Sequence, residues 1–285
     1  MAALISLEYQ KMLERIKEKS KQNNKERITQ KIPEDGIYCD KCNNTGMVCV
    51  TEENGHEYMI PCSECYAKRE VARRLKASGI STNDYARYTL ESFDENRNKE
   101  SADIKKLAEK FLSEHKKNGK GFGIFGSSGV GKTHICIAVC QELTKRFKEP
   151  HYYFSYRAEM PSLIKCLRSY QEEYEDKLYK WKTRQNLYID DLFKCAGRTQ
   201  QIADKNFVSA KLISIDNDDL RIMYDILNAR YLNHLTTLFS SEYSVNDISK
   251  IDTALGSRIY EMIEPYGLTV HGRNQRLTRV KNENS

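Results

Sequence analysis

Gly126-Ser127-Ser128-Gly129-Val130-Gly131-Lys132-Thr133 satisfies every position of the pattern G-x-x-x-x-G-K-[ST]. The flanks supply the setting that the pattern requires. FGIF (122–125) reads as a buried strand and HICIAVCQELTKRF (134–147) as an amphipathic helix, so the glycines stand at a strand-to-helix junction. Gly126, Gly129 and Gly131 let the backbone turn tightly, so that the N–H groups between them, those of Ser127, Ser128 and Val130 included, can face phosphate oxygens. The helix that follows adds its positive N-terminal end. Lys132 is expected to reach the β and γ phosphates of ATP, and Thr133 to place its hydroxyl on Mg2+.

Such a loop needs a carboxylate at the end of a neighbouring strand. Asn186-Leu-Tyr-Ile-Asp190-Asp191-Leu192 provides two, with Asp190 expected to serve Mg2+ and Asp191 to orient the attacking water. Taken alone, an acidic pair there could cap a turn instead. The spacing of apolar residues predicts strands over 121–125, 152–156, 186–190, 236–240 and 268–271. Helices are predicted over 132–146, 159–181, 218–233 and 253–263. Such alternation predicts an α/β fold, a five-stranded parallel sheet wrapped by helices. The run QEEYEDKLYKWK (171–182) reads as a solvated helix face and 197–218 as an elaborated loop.

Toward the N-terminus, five of the nine cysteines fall between Cys39 and Cys65. Cys39-Asp-Lys-Cys42 and Cys62-Ser-Glu-Cys65 are paired C-x-x-C motifs around a hairpin-like stretch, a spacing that suits four thiolates on one tetrahedral Zn2+. Gly46 and Gly55 suit the turns; Cys49 and His56 are second-choice ligands, and redox chemistry at one pair is the competing reading. So small a module lacks an adequate core, and a metal would provide its folding energy. Cys136, Cys140, Cys166 and Cys195 read as packed or idle thiols.

Residues 4–30 show helical spacing through Ile5, Tyr9, Met12 and Ile16, read either as a helix packed on its own protein or as a partner-docking arm. YAKREVARRLKA (66–77) is a basic helix with no settled partner. The expected organisation is therefore a helical arm over 1–30, a zinc-ribbon-like module with a basic linker helix over 31–80, and the nucleotide domain over 81–285. The net charge of +6 mildly favours polyanions. No run approaches the roughly 18 apolar residues of a membrane helix, which leaves a cytoplasmic protein without a membrane partner as the expectation.

GSSGVGKTH (126–134), YIDDLFK (188–194), ILNARYLN (226–233), LFSSE (238–242) and ALGSRIYEMI (254–263), in this order, resemble the DnaC/DnaI bacterial and phage helicase loaders. The IstB transposition ATPases share much of the pattern. The resemblance runs from about Tyr85 to Arg276, and the cysteine module resembles the N-terminal part of DnaI-type and phage loaders. It implies an AAA+ ATPase that holds the hexameric replicative helicase through its N-terminal region and delivers it to single-stranded DNA. His134 closes the motif on the nucleotide side. Arg258 is implied as the arginine that reaches a neighbouring subunit's ATP, so self-association would run through an ATP-bridged interface. Arg230 and Arg276 match without a defined role. At the sensor position, usually a Ser-Asn pair, stand Ser240, Ser241 and Glu242; an acid there would repel the γ phosphate, which points to Ser241. Lys194, Arg198 and Lys211 are candidates for gripping single strands. An IstB-like transposition helper and a nucleotide-binding scaffold without turnover are the alternatives. The compact, lysine-rich style points to a phage or prophage of a Gram-positive host.

Overall fold

The computed structural model describes residues 36–52, 55–194, 197–201 and 211–272. The arm expected over 1–30, Cys195 and Arg276 lie outside the described residues. The chain divides into two compact units, Met1–Arg73 and Arg74–Ser285.

In the first unit, strands β1 (Met47–Thr51) and β2 (Glu57–Pro61) form an antiparallel hairpin, with Met47 opposite Pro61 and Thr51 opposite Glu57. Gly46 and Gly55 lie at φ of 80° and 82°, a region open to glycine at no steric cost. A single 3-10 turn, Asp40–Cys42, precedes the hairpin, and helix α1 (Tyr66–Ala77) follows it over the residues expected. Among the described residues of this unit, the buried cluster consists of Cys39, Cys42, Cys62 and Cys65, with Ile37 and Val48 packed against them. A core of that size cannot offset the entropy of ordering the chain.

The second unit begins with α2 (Thr82–Arg87) and α3 (Lys99–Asn118). Helix α3 is absent from the sequence expectations, although Ile104, Ala108, Phe111, Leu112 and His115 carry helical spacing and are all buried. Asn98 caps its start by accepting from the Ser101 amide. Then follow β3 (Phe122–Gly126), α4 (Lys132–Phe147), β4 (His151–Ser155), α5 (Tyr156–Ser169) and α6 (Gln171–Thr183). The single helix expected over 159–181 is thus two, because Tyr170 adopts φ −144° and ψ 73° between them. Next come β5 (Asn186–Leu192), the antiparallel pair β6 (Gly197–Gln201) and β7 (Lys211–Ile215), α7 (Asn217–Leu232), β8 (Thr237–Ser241), α8 (Val245–Ile251), α9 (Thr253–Ile263) and β9 (Gly267–Val270). The region expected as a loop after β5 therefore contains a hairpin.

The main sheet has five strands in the order β4-β5-β8-β3-β9, each pairing parallel to its neighbours. Successive strand residues serve opposite faces. Phe122, Ile124, Tyr188 and Leu238 join one buried cluster with α3 and α4, whereas Phe125, Leu187, Ile189 and Phe239 join another with α5, α6, α7 and α9. Helices thus cover both faces, and the expected α/β architecture with its five-stranded parallel sheet is what the chain forms. Numbered by their order along the chain, the five strands read 5-1-4-3-2 from β9. Among the described residues no helix is long and apolar enough to cross a membrane.

Candidate nucleotide site and cysteine cluster

The loop from Gly126 to Thr133 joins β3, which lies between β8 and β9, to α4. Its glycines are required sterically. A Cβ on Gly126 would lie 1.9 Å from the Val270 carbonyl oxygen of β9, and one on Gly131 would meet Phe93 at 2.9 Å. All three glycines have positive φ, 105°, 78° and 98°. Lys132 is buried, and its ammonium donates to the carbonyls of Gly126 and Ser127, both at 2.8 Å. Burial lowers its pKa, against the opposing pull of Glu242 and Asp191. The His134 ring bonds back to the Thr89 carbonyl at 2.9 Å and to Ser92 at 3.1 Å, tilted against Tyr88 and edge-on to Phe93. Its pKa is lowered, chiefly by burial.

Asp190 faces this loop from β5. The Thr133 hydroxyl donates to its Oδ1 at 3.1 Å, so the two groups expected around Mg2+ are together. Three donors foreseen by nothing in the motif complete the carboxylate's shell. They are Tyr188 (2.6 Å) and Ser240 (2.6 Å) on Oδ1, and Tyr153 (2.8 Å) on Oδ2. A hydroxyl beside a carboxylate is a hard-oxygen pair of the kind Mg2+ takes.

A bulge explains the position of Asp191. In the β5–β8 register Ile189 faces Phe239 and Leu192 faces Ser241, so Asp190 and Asp191 together oppose Ser240. The Ser240 hydroxyl donates to Asp190 and accepts from the Asp191 amide at 3.0 Å. Asp191 takes the left-handed backbone region (φ 56°), as does Phe193 (φ 64°). Asp191 thereby leaves the alternation of the strand, and its Oδ2 lies 3.1 Å from the Lys194 ammonium.

Ser241, the expected sensor, is fully buried; its hydroxyl donates to the Leu192 carbonyl and accepts from the Tyr243 amide. It braces the backbone, and the serine that meets the acid of β5 is Ser240. Glu242 is 3.2 Å from Lys194. Burial pushes its pKa up, but Lys194, Lys132 and a bond from the Ser128 hydroxyl outweigh that and lower it. Lys194, expected on a DNA path, is therefore held between two acids beside the phosphate loop. Side chains of Arg198 and Lys211 fall outside what is described.

Arg258 is half-buried on α9. It donates to Asn228 Oδ1 (3.0 Å) and the Ala254 carbonyl (2.9 Å), and its guanidinium lies 4.9 Å from the Tyr224 ring centre. These partners all lie outside the phosphate loop. Arg230 is fully buried and donates to the carbonyls of Trp181, Arg184, Gln185 and Thr236 and to the Thr237 hydroxyl, which makes it a tie between the entries to β5 and β8.

In the first unit the sulfurs of Cys39, Cys42, Cys62 and Cys65 all lie within 4.8 Å of one another, with Cys39–Cys62 at 3.7 Å and Cys42–Cys65 at 3.4 Å. Those separations exceed the ~2.05 Å of a disulfide. They approach the ~3.8 Å edge of a tetrahedron with ~2.3 Å zinc–sulfur bonds. Cys49 is exposed and stands apart. The Gly46 amide and Arg69 Nε donate to the Cys42 and Cys65 sulfurs, each at 3.3 Å. Against burial, that amide and the neighbouring sulfurs pull the Cys42 thiol down to about 6. The Cys39 thiol rises to about 12, burial and the other sulfurs outweighing a backbone bond. Four thiolates cannot coexist here without a cation, and the donor set fits Zn2+.

No family profile matches the chain. The phage-like element PBSX protein XkdC of Bacillus subtilis (strain 168) is 30% identical over 252 residues, covering 85% of this chain and 87% of that protein. The replicative helicase loader DnaI of the same organism is 25% identical over 278 residues, covering 85% and 82%. A crystal structure of the DnaC helicase loader superposes with a TM-score of 0.50 at 22% identity, over 67% of this chain and 99% of that one, a likeness of fold. With 30% identity to XkdC along most of both chains, and with the phosphate loop, the acidic strand and the sheet order in place, the chain belongs to the DnaC/DnaI-type AAA+ helicase-loader family of bacteria and phages.

Proposed function

We propose that the chain is an ATP-dependent helicase loader of DNA replication. It would hold the hexameric replicative helicase through its N-terminal region and deliver it to single-stranded DNA. The observation that carries the nucleotide half of this reading is the 3.1 Å contact between the Thr133 hydroxyl and Asp190, set against a buried Lys132. Amides from Ser127 to Lys132 bind the phosphates, Lys132 neutralises them, and His134 fixes the segment that borders the site. When bound, ATP with Mg2+ supplies the phosphoryl group. Thr133 and Asp190 hold oxygens ready for the ion, and Asp191 orients a water. Arg258 has no partner in the phosphate loop of its own subunit, which supports a role at a neighbour's site and hence self-association. Cys39, Cys42, Cys62 and Cys65 hold Zn2+ and thereby fold the helicase-docking module. A cytoplasmic setting fits these partners.

Mixing the purified protein with its replicative helicase, with and without ATP and single-stranded DNA, tests the reading. Co-elution that depends on the first 73 residues, and release on ATP turnover that Lys132→Ala abolishes, are the expected results. Helicase ignored under every condition would sink the loader assignment. Duplex DNA coated in an ATP-dependent manner would favour an IstB-like helper instead.

A further inference from the structure

Glu242 stands where the expectation is a neutral polar group, and an acid touching the phosphate loop should repel a terminal phosphate. The structure supplies the answer in Lys194, whose ammonium lies 3.1 Å from Asp191 and 3.2 Å from Glu242. We propose that Lys194 is the cation that receives the terminal phosphate of a nucleoside triphosphate, with Glu242 as the counter-ion that positions it, so that the pair distinguishes ATP from ADP. The inference rests on the nucleotide reading above and assigns to it a residue outside the loop motif.

The backbone is built to bring this lysine to the loop. The Lys194 amide bonds the Asp191 carbonyl at 2.8 Å, closing a tight turn in which Asp191 and Phe193 are both left-handed. Left-handed conformations at non-glycine residues cost energy and persist only where the surroundings enforce them. Here the enforcing contacts are the Ser240 hydroxyl on the Asp191 amide and the fully buried Phe193. Three-quarters of the Lys194 side chain is covered, at 26% exposure, so water does not screen it as it would a surface pair. Glu242 takes a hydrogen bond from Ser128, so the charge cluster borders the phosphate loop. Burial pulls the Lys194 pKa down, yet the two acids hold it above its ordinary value, so the ammonium is charged. A third phosphate placed there would exchange one anionic partner of Lys194 for another. A diphosphate ends short of the group.

Binding of fluorescent ADP and of a fluorescent non-hydrolysable ATP analogue, both with Mg2+, to the full chain tests this. Lys194→Met should weaken the triphosphate analogue about 10- to 100-fold, as expected for a charge-assisted contact, and leave ADP affinity within about twofold. Retained ADP binding also shows that the variant is folded. Lys194→Arg should keep most of the preference. The double variant Lys194→Met/Glu242→Gln separates the proposal from simple charge balance. If Lys194 takes the phosphate, the double variant stays weak for the triphosphate. If it recovers wild-type preference, the lysine only neutralises acids and the proposal is overturned. An unchanged ratio in Lys194→Met, or equal loss of both nucleotides, also overturns it. Wild-type protein that binds neither nucleotide defeats the underlying nucleotide reading and the proposal with it.

Discussion

The guanidinium of Arg258 on α9 lies 4.9 Å over the ring centre of Tyr224 on α7. With Asn228 and the Ala254 carbonyl holding its nitrogens, the arginine is fixed in place within its own subunit. Such preorganisation suits a group that must meet a phosphate across an interface. Arg258→Ala should therefore leave nucleotide binding intact and lower turnover on the order of 10³-fold. Mixing Arg258→Ala with Lys132→Ala subunits should restore part of the activity, since each supplies what the other lacks. Steady-state ATPase of the separate and mixed proteins checks this; no recovery on mixing would place the arginine outside a shared site.

Arg230 is a structural residue by every contact it makes. Its donors satisfy four backbone carbonyls and one hydroxyl, with no carboxylate among them. Truncation to alanine strands those carbonyls in a dry site and should cost at least about 3 kcal/mol in urea unfolding. Lysine, a point charge without the planar fork, should recover only part.

The proposed zinc site predicts that stripping metal from the protein unfolds the first unit. A chelator, or Cys62→Ser with Cys65→Ser, is expected to collapse the amide dispersion of residues 36–73 in NMR spectra and to release one Zn2+ per chain. Cobalt substitution should give thiolate charge-transfer bands. Zinc-dependent folding in comparable small modules amounts to about 10–16 kcal/mol of apparent binding energy. An unchanged spectrum after chelation would remove zinc from the account.

His151 gives a signature in acid. It is fully buried between the Tyr85 hydroxyl and the Thr144 hydroxyl, and burial lowers its pKa to about 3. The unfolded chain protonates this ring near pH 6.5. Between these values the unfolded state binds a proton that the native state refuses, so stability falls as pH falls, by up to about 1.4 kcal/mol per unit. Below the lower value the contribution is flat. His151→Gln should lose this slope in denaturant titrations run from pH 7 to 4.

The nucleotide loop was legible because its chemistry is local: Gly126 to Thr133 is one unbroken word at a strand–helix junction. Asp190 and Asp191 were legible as acids, but their separate orientations were not. Those come from a register shift that sets two residues of β5 against Ser240 of β8, and register is a property of two strands. The same shift sets Ser240, not Ser241, opposite the two acids. Tyr188 meets Asp190 two residues along the same strand, whereas the Tyr153 hydroxyl reaches it only once β4 and β5 pair. Lys194 reads from sequence as a candidate for gripping single strands, because nothing in DDLFK announces the two left-handed residues, Asp191 and Phe193, that bring it beside Asp191 and Glu242. Helix α3, by contrast, is written in the helical spacing of Ile104, Ala108, Phe111 and Leu112.

One extra residue in β5 also limits how this site can change. A left-handed backbone suits aspartate, asparagine and glycine and penalises longer or branched side chains by about 1–2 kcal/mol. Position 191 can thus shed its charge in a single substitution, to asparagine, with the chain path preserved. Extending the acid by a methylene, or trimming it to alanine, also disturbs the turn that delivers Lys194. Divergence at this spot is lopsided: silencing is easy, whereas retooling demands that the strand be rebuilt first.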